Sequence, residues 1–238
     1  MSKHMKRLAA PKTLRIHRKG RTWTTKPSPG PHPTNQSIPL LTLVRDYLSL
    51  CDLQKEARHI ISNGDILVDG QKRKNHKFPC GFMDVISIPV MKKDFRILFD
   101  RKGKLTLVPI STAEAEWKLC RIQDKSIISK GKIQLHLHDG NNTIVEKDQY
   151  KTGDVLRIAF ADKKILDVYP FKKGTVSMIT GGGHVGEIAN IETIEVVASS
   201  KPNIAVMKTD KEFYTIVDYV FPIGVSQPVI SLPEVKMA

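Results

Sequence analysis

The first 45 residues contain no aspartate or glutamate; the first acidic residue is Asp46. The same stretch holds ten of the chain's 38 Lys and Arg, and beyond it 28 basic residues face all 24 acidic ones. Most of the net charge of +14 therefore sits on one short segment. Cations without acids are the footprint of a polyanion, because Lys and Arg displace counterions condensed on a phosphate backbone. A solubility tail gains nothing from excluding acids. An acidic membrane surface would call for an apolar helical face that this segment lacks.

Other things are scarce as well. Cys51, Cys80 and Cys120 are odd in number, far apart and set in apolar surroundings, with no CxxC. That argues against a disulfide framework and a zinc ribbon, and for small buried thiols in a reducing compartment. No apolar run approaches the roughly 18 residues of a membrane span. The most apolar stretch, Ile38–Val44, is broken by Pro39 and Thr42 and comes too late for a signal peptide. Pro11 and Gly20 interrupt the amphipathic helix that a mitochondrial leader uses. No HExxH, P-loop or nucleophile elbow occurs, so no catalytic constellation is expected.

What is present has a clear order. Lys6, Arg7, Lys12, Arg15, Arg18, Lys19 and Arg21 mark a basic arm with few apolar residues. Such a segment is expected to order only on a partner and to be dispensable for folding. Alternate prolines from Pro27 to Pro33 predict an extended spacer. Ser37 and Pro39 mark a helix start, with Leu40, Leu43, Val44, Tyr47 and Leu48 on one face. Asp52 is the expected N-cap of a second helix that buries Leu53, Ala57, Ile60 and Ile61 and displays Lys55, Arg58 and His59. Gly64 suits its left-handed stop. A strand at Ile66–Val68 runs into the tight-turn pair Asp69-Gly70, then basic Lys72-Arg73-Lys74, and a strand at Val85–Ile88 closes the unit. From Asp94 onward, short alternating strands dominate, which gives an α+β chain with small barrels. These strands are expected at Phe95–Phe99, Lys104–Ile110, Ile133–Leu137, Val155–Phe160, Ile165–Tyr169, Thr175–Ile179, Glu187–Ile191, Ile204–Lys208 and Phe213–Val217. Gln227–Ala238 reads as an extended tail.

Two motifs invite chemistry and do not sustain it. Gly181–Gly186 fits GxGxxG, but Glu187–Ile191 alternates like a strand, whereas a dinucleotide site needs a helix there. His136 and His138 could share a zinc ion, but no further ligand set accompanies them, so a polar strand face is expected and no metal or cofactor.

Lys55–Arg58, Gly64 and Ile66–Gly70 together resemble the alpha-L RNA-binding motif of ribosomal proteins, some pseudouridine synthases and some tRNA synthetases. The flanks extend the likeness. His4–Lys12, Gly30-Pro31-His32, Gly81–Ile86, Glu116–Cys120, His138-Asp139-Gly140, Thr180-Gly181-Gly182 and Ile230–Pro233 occur in the order found in the S-four-e family of archaeal and eukaryotic small-subunit ribosomal proteins. The resemblance covers nearly the whole chain, and the end shortly after Pro233 looks more archaeal than eukaryotic. It implies a basic arm and spacer over residues 1–36, an alpha-L domain over 37–91 and a central β domain over 92–170. A KOW-type SH3-like barrel over 171–226 and a tail over 227–238 would follow. Glu187 and the acidic stretch Glu192–Val197 depart from the family's more basic barrel.

The implied function is that of a non-catalytic constituent of the small ribosomal subunit in the cytoplasm. Its partners would be 16S-like ribosomal RNA and neighbouring small-subunit proteins, with no membrane and no small-molecule substrate. The expected RNA contacts are the seven arm cations named above together with Lys55, Arg58, His59, Lys72, Arg73 and Lys74. An RNA-modifying enzyme would add a catalytic domain with an Arg-Leu-Asp turn, which the chain lacks. A factor acting through the KOW-type barrel alone leaves the acid-free arm unexplained.

Overall fold

The computed structural model describes residues 4–128, 131–209 and 211–232. They fall into two compact units, one of residues 4–98 and 104–118, the other of 99–103 and 119–232. The architecture is mostly antiparallel β with few helices, in the α+β class expected. Among the described residues no helix is long and apolar enough to cross a membrane.

In the first unit the basic arm is folded, which corrects the expectation of a segment ordered only by a partner. Strand β1 (Met5–Lys6) pairs antiparallel with β2 (Trp23–Thr24). Two arginines hold the loop between them. Arg7 is buried and donates through Nε to the Trp23 carbonyl at 3.2 Å and through Nη1 to that of His17 at 2.7 Å. Arg18 donates to the carbonyls of Ala10 at 2.7 Å and Pro11 at 2.8 Å. An irregular loop leaves carbonyls unpaired, and a guanidinium with five N–H groups can satisfy several at once. Ala10 and Leu14 are buried, and the Leu105 N–H donates to the Thr13 carbonyl at 2.9 Å.

The helical part differs from the sequence expectation in two places. Ser37–Pro39 is not a helix start but a strand, β3, paired with β6 (Pro79–Gly81). Pro39 then caps α1 (Leu40–Thr42), which continues as a wider turn over Leu43–Tyr47. The second helix, α2 (Gln54–Asn63), is capped at Leu53, one residue beyond Asp52. The reason is Glu56, whose carboxylate reaches back to accept the Leu53 N–H at 3.2 Å, half of a capping box. Gly64 ends α2 at φ 83°, where a side chain would be strained. Strands β4 (Leu67–Val68) and β5 (Gln71–Lys72) form the expected hairpin, with Asp69 at φ 51° and Gly70 at φ 72°. With β7 (Val85–Ile88), β8 (Lys93–Phe99) and β9 (Leu105–Ile110) they make a sheet in the order β5-β4-β7-β8-β9.

A buried polar cluster ties these elements together. The Asp84 carboxylate accepts the Gly81 N–H at 2.9 Å and pairs with His32 at 2.9 Å and Lys118 at 3.2 Å. Lys118 also meets Asp69 at 2.6 Å, and Asp69 accepts the Val85 N–H at 3.0 Å. A Cβ at Gly81 would collide with the His32 ring, so only glycine admits this approach. Nearby, Arg96 is fully buried, with its guanidinium 4.7 Å from the centre of the Trp117 ring and donating to the Glu114 and Trp117 carbonyls.

The second unit holds two antiparallel five-stranded sheets. One runs β12-β11-β10-β13-β14, built from β10 (Trp117–Ile127), β11 (Ile133–Leu137), β12 (Asn142–Val145), β13 (Val155–Ala159) and β14 (Ile165–Tyr169). It buries Ile122, Leu135, Leu137, Leu156 and Ile158. The other runs β18-β17-β16-β15-β19, from β15 (Val176–Ile179), β16 (Ile188–Glu195), β17 (Ile204–Lys208), β18 (Glu212–Ile216) and β19 (Val220–Gly224). The long β10 and the strands β12 and β19 were not read from sequence. Part of the expected tail is packed as well: Ile230 is buried and the Val229 N–H donates to the Ile223 carbonyl. Residues 233–238 of that tail and Lys3 of the arm lie outside the described residues.

The carboxylates of the buried cluster are shifted in opposite directions. Burial opposes the charge on Asp84, but His32 and Lys118 outweigh it and hold the group well below the usual carboxylate range. Burial and the Asp84 charge push Asp69 up to about 7, against the pull of Lys118. Asp84 thus contributes stability that is present above about pH 4 and lost as pH falls through its lower native value. For Asp69 the sign reverses: its contribution is complete below about pH 4 and is lost as pH rises through about 7. Urea unfolding across that range should show the decline between these limits, and Asp69→Asn should flatten it. Asp84→Ala, which removes the carboxylate shared by His32 and Lys118, should cost about 3–5 kcal/mol at neutral pH.

Candidate nucleic-acid interface

The cations singled out from sequence separate into two groups in the structure, and a third group joins two of these cations to residues that were not singled out. Ala57 and Ile61, one turn apart, are buried under α2, so Lys55, Arg58 and His59 point away from the core and are exposed. Lys72 lies exposed on β5 beside the end of that helix, since a Cβ at Gly64 would meet its side chain at 3.5 Å. Lys74 is exposed, whereas Arg73 is half-buried, its guanidinium 4.7 Å from the centre of the Phe78 ring. Sequence reasoning missed His76 and Lys77, which complete this patch. Burial lowers the His76 pKa, and the neighbouring charges of Arg58 and Lys77 lower it further. Arg58 and Lys77 thus lie near enough to His76 to disfavour its charged form. The spacer is tied to the same loop: the Ser28 N–H donates to the Lys77 carbonyl at 2.9 Å.

In the arm, Lys6, Lys12, Arg15, Lys19 and Arg21 are exposed, while Arg7 and Arg18 have their donors turned onto the arm's own carbonyls. The arm is thus a rigid loop with an arginine interior and a lysine and arginine rim. Trp23, 52% exposed, sits beside Lys6, whose ammonium lies 5.8 Å from the ring centre. An exposed indole among cations is the kind of surface on which unstacked bases rest. Its signal in the sequence was a single Trp inside a basic run.

The third group was not assembled from sequence at all. A cavity of about 730 Å³ lies between the arm, the turn Leu43–Tyr47 and the start of β9. Arg7, Arg15 and His17 come from the arm, Arg45, Asp46 and Tyr47 from the turn, and Lys104 from the loop before β9. Asp46 and Arg45 form a two-pronged pair, 2.8 Å on each side. The Arg15 N–H donates to the Tyr47 hydroxyl at 2.8 Å.

The motifs set aside earlier behave as ordinary structure. The GxGxxG run leads into strand β16, and Gly186 (φ 78°) permits a close approach to the Asp100–Arg101 backbone. His136 is hydrogen-bonded to Ser126 at 2.9 Å and Asn142 at 3.0 Å. Cys120, His138 and Asp139 come within ligand distance of one another. Each is engaged by the protein: the thiol donates to Asp139, Asp139 also accepts from Asn141, and His138 Nδ1 accepts the Arg121 N–H.

Known proteins resemble the chain along nearly its full length. The model of ribosomal family S4e matches residues 91–165, and that of the RS4NT (NUC023) domain matches residues 1–35. Small ribosomal subunit protein eS4 of Methanothermobacter thermautotrophicus is 48% identical over 236 residues, 98% of this chain and 97% of the relative. The protein of the same name from Archaeoglobus fulgidus is 47% identical, over 96% of this chain and 97% of its own. The crystal structure of 30S ribosomal protein S4e from Thermoplasma acidophilum superposes with a TM-score of 0.70 at 37% identity, covering 80% of this chain and 96% of the other.

The internal role of Arg18 has a measurable consequence. Arg18→Ala should make the loop of residues 7–22 roughly ten-fold more sensitive to a non-specific protease, because charged hydrogen bonds holding it closed are lost. Lys19→Ala, one residue along and exposed, should leave the digestion rate unchanged.

Proposed function

The chain belongs to ribosomal family S4e, as an archaeal-type member and a structural protein rather than an enzyme, and from that premise we propose that it binds 16S-like ribosomal RNA in the small subunit. Its arm and spacer are residues 1–36, its alpha-L domain 37–91, its central β domain 92–170, its KOW-type barrel 171–226 and its tail 227–238. The observation that carries the reading is the exposed set Lys55, Arg58, His59, Lys72 and Lys74 on α2 and the following hairpin, with His76 and Lys77 beside it. Such a patch meets phosphate, which repays its self-repulsion through released counterions. Lys55, Arg58, His59, Lys72, Arg73 and Lys74 supply contacts to RNA backbone and shape rather than to base edges. The rim of the arm, Lys6, Lys12, Arg15, Lys19 and Arg21, supplies a second set. Arg7 and Arg18 act from inside, by fixing the loop that carries that rim. Support of subunit assembly belongs to the same proposal: an arm that is already folded adds no ordering cost at the moment of binding.

Binding to small-subunit ribosomal RNA and to an unrelated RNA of equal length, measured across a salt series, tests the proposal. A preference for ribosomal RNA that survives raised salt is expected; equal affinities that fall together would refute a specific site. Replacing Arg58, Lys72 and Lys74 by Ala should weaken binding and lower the salt slope by about two to three. The same affinity and slope in that variant would remove the α2 surface from the interface.

A further inference from the structure

The cavity between the arm and the turn Leu43–Tyr47 is more than a surface of phosphate contacts needs. A lone phosphate leaves most of its 730 Å³ empty, whereas pockets of about 300–1,000 Å³ hold whole small molecules. Its charge is also unspent. Among the described residues the one carboxylate in the lining, Asp46, has both oxygens occupied by Arg45 at 2.8 Å. Arg7, at the back, is committed to the carbonyls of His17 and Trp23. The side chains of Arg15, His17 and Lys104, by contrast, have no hydrogen bond or ion pair among the described residues. Tyr47 adds an aromatic wall and a donor. Its oxygen accepts the Arg15 N–H, and burial raises its pKa, so the hydroxyl keeps a proton to give. Free cations for an anion, an aromatic wall and room for a heterocycle together describe a nucleotide site. RNA recognition commonly works in this way, by seating a splayed-out base on an aromatic or guanidinium plane while cations hold its phosphate.

We propose that this cavity receives one unstacked nucleotide of the bound RNA, its phosphate held by Arg15 and Lys104 and its base set against Tyr47. The inference rests on the ribosomal RNA reading and adds to it a defined point of insertion. It predicts an interface with one deep contact among many shallow ones.

The full chain bound to small-subunit ribosomal RNA is irradiated with ultraviolet light, and cross-linked peptides are identified by mass spectrometry. A single nucleotide joined at Tyr47 or His17 is the expected result. Millimolar nucleoside 5′-monophosphates should compete that cross-link away, while the same concentration of inorganic phosphate leaves it unchanged. The double variant Arg15→Gln, Lys104→Gln should reduce it about ten-fold at an unaltered urea midpoint. Cross-links confined to other segments, with the preference for ribosomal RNA intact, would overturn the insertion alone. Inorganic phosphate competing as well as nucleotides would overturn it too, leaving only a phosphate clamp. Loss of the preference for ribosomal RNA in the unmodified chain would instead overturn the reading beneath it.

Discussion

The fold of the first unit depends on one buried carboxylate. Asp84 takes hydrogen bonds or charge from His32 in the spacer, Gly81 at the end of β6 and Lys118 at the start of β10. Through Lys118 it is coupled to Asp69, in the hairpin turn between β4 and β5. Four segments far apart in sequence thus converge on a few polar atoms. Apolar packing is non-directional and would tolerate several arrangements of such short elements. A buried ion cluster tolerates few, because each misplaced partner leaves a desolvated charge uncompensated. The basic hairpin and the spacer below it are held in register by this constraint. The stretches Gly30–His32, Gly81–Ile86 and Glu116–Cys120, which carried much of the family resemblance, supply three of its four corners.

The chain spends its basic residues in two ways. Some are internal scaffolding: Arg7, Arg18 and Arg96 donate to backbone carbonyls, and Arg96 also packs on Trp117. Arg7 and Arg18 lie in irregular backbone, and Arg96 reaches from β8 to the carbonyls of Glu114 and Trp117; in both settings a planar fork of donors closes several open carbonyls. Others, such as Lys55, Arg58, Lys72 and Lys19, are left free at the surface. Scaffolding arginine thereby makes a precise platform out of a segment too poor in apolar residues to build a core. The cost of ordering that segment falls on folding and not on any later binding step.

The same economy is seen where the residue types of a site occur. The Cys120, His138 and Asp139 group and the Gly181–Gly186 run have the residue types of a site, but their polar atoms and close contacts are consumed by the protein itself. The arm cavity and the α2 patch, by contrast, gather several exposed cations for which no ion pair is seen among the described residues. That contrast between satisfied and unsatisfied polar groups separates scaffold from interface better than residue type does.

Much of this was determined by the sequence alone. The acid-free segment set the expectation of a polyanion partner through electrostatics that hold in any fold. Helical spacing placed Ala57 and Ile61 inside and Lys55, Arg58 and His59 outside, because local geometry dictates that periodicity, but it also placed Leu53 inside, which as the cap residue is 57% exposed. Asp69-Gly70 announced its turn by backbone preference, and alternation marked most strands. The sequence did not reveal β10, whose polar residues Arg121, Asp124, Lys125 and Ser126 obscure the alternation, nor the capping role of Glu56, which overrode Asp52. It misjudged the arm, because a loop closed by guanidinium–carbonyl bonds has no apolar pattern to read. His17, Arg45, Tyr47 and Lys104 share a cavity only because long-range pairing brings the arm against the turn and β9. Local chemistry is written residue by residue, whereas which charges stay free is decided by contacts across tens of residues, and only the folded chain sets those.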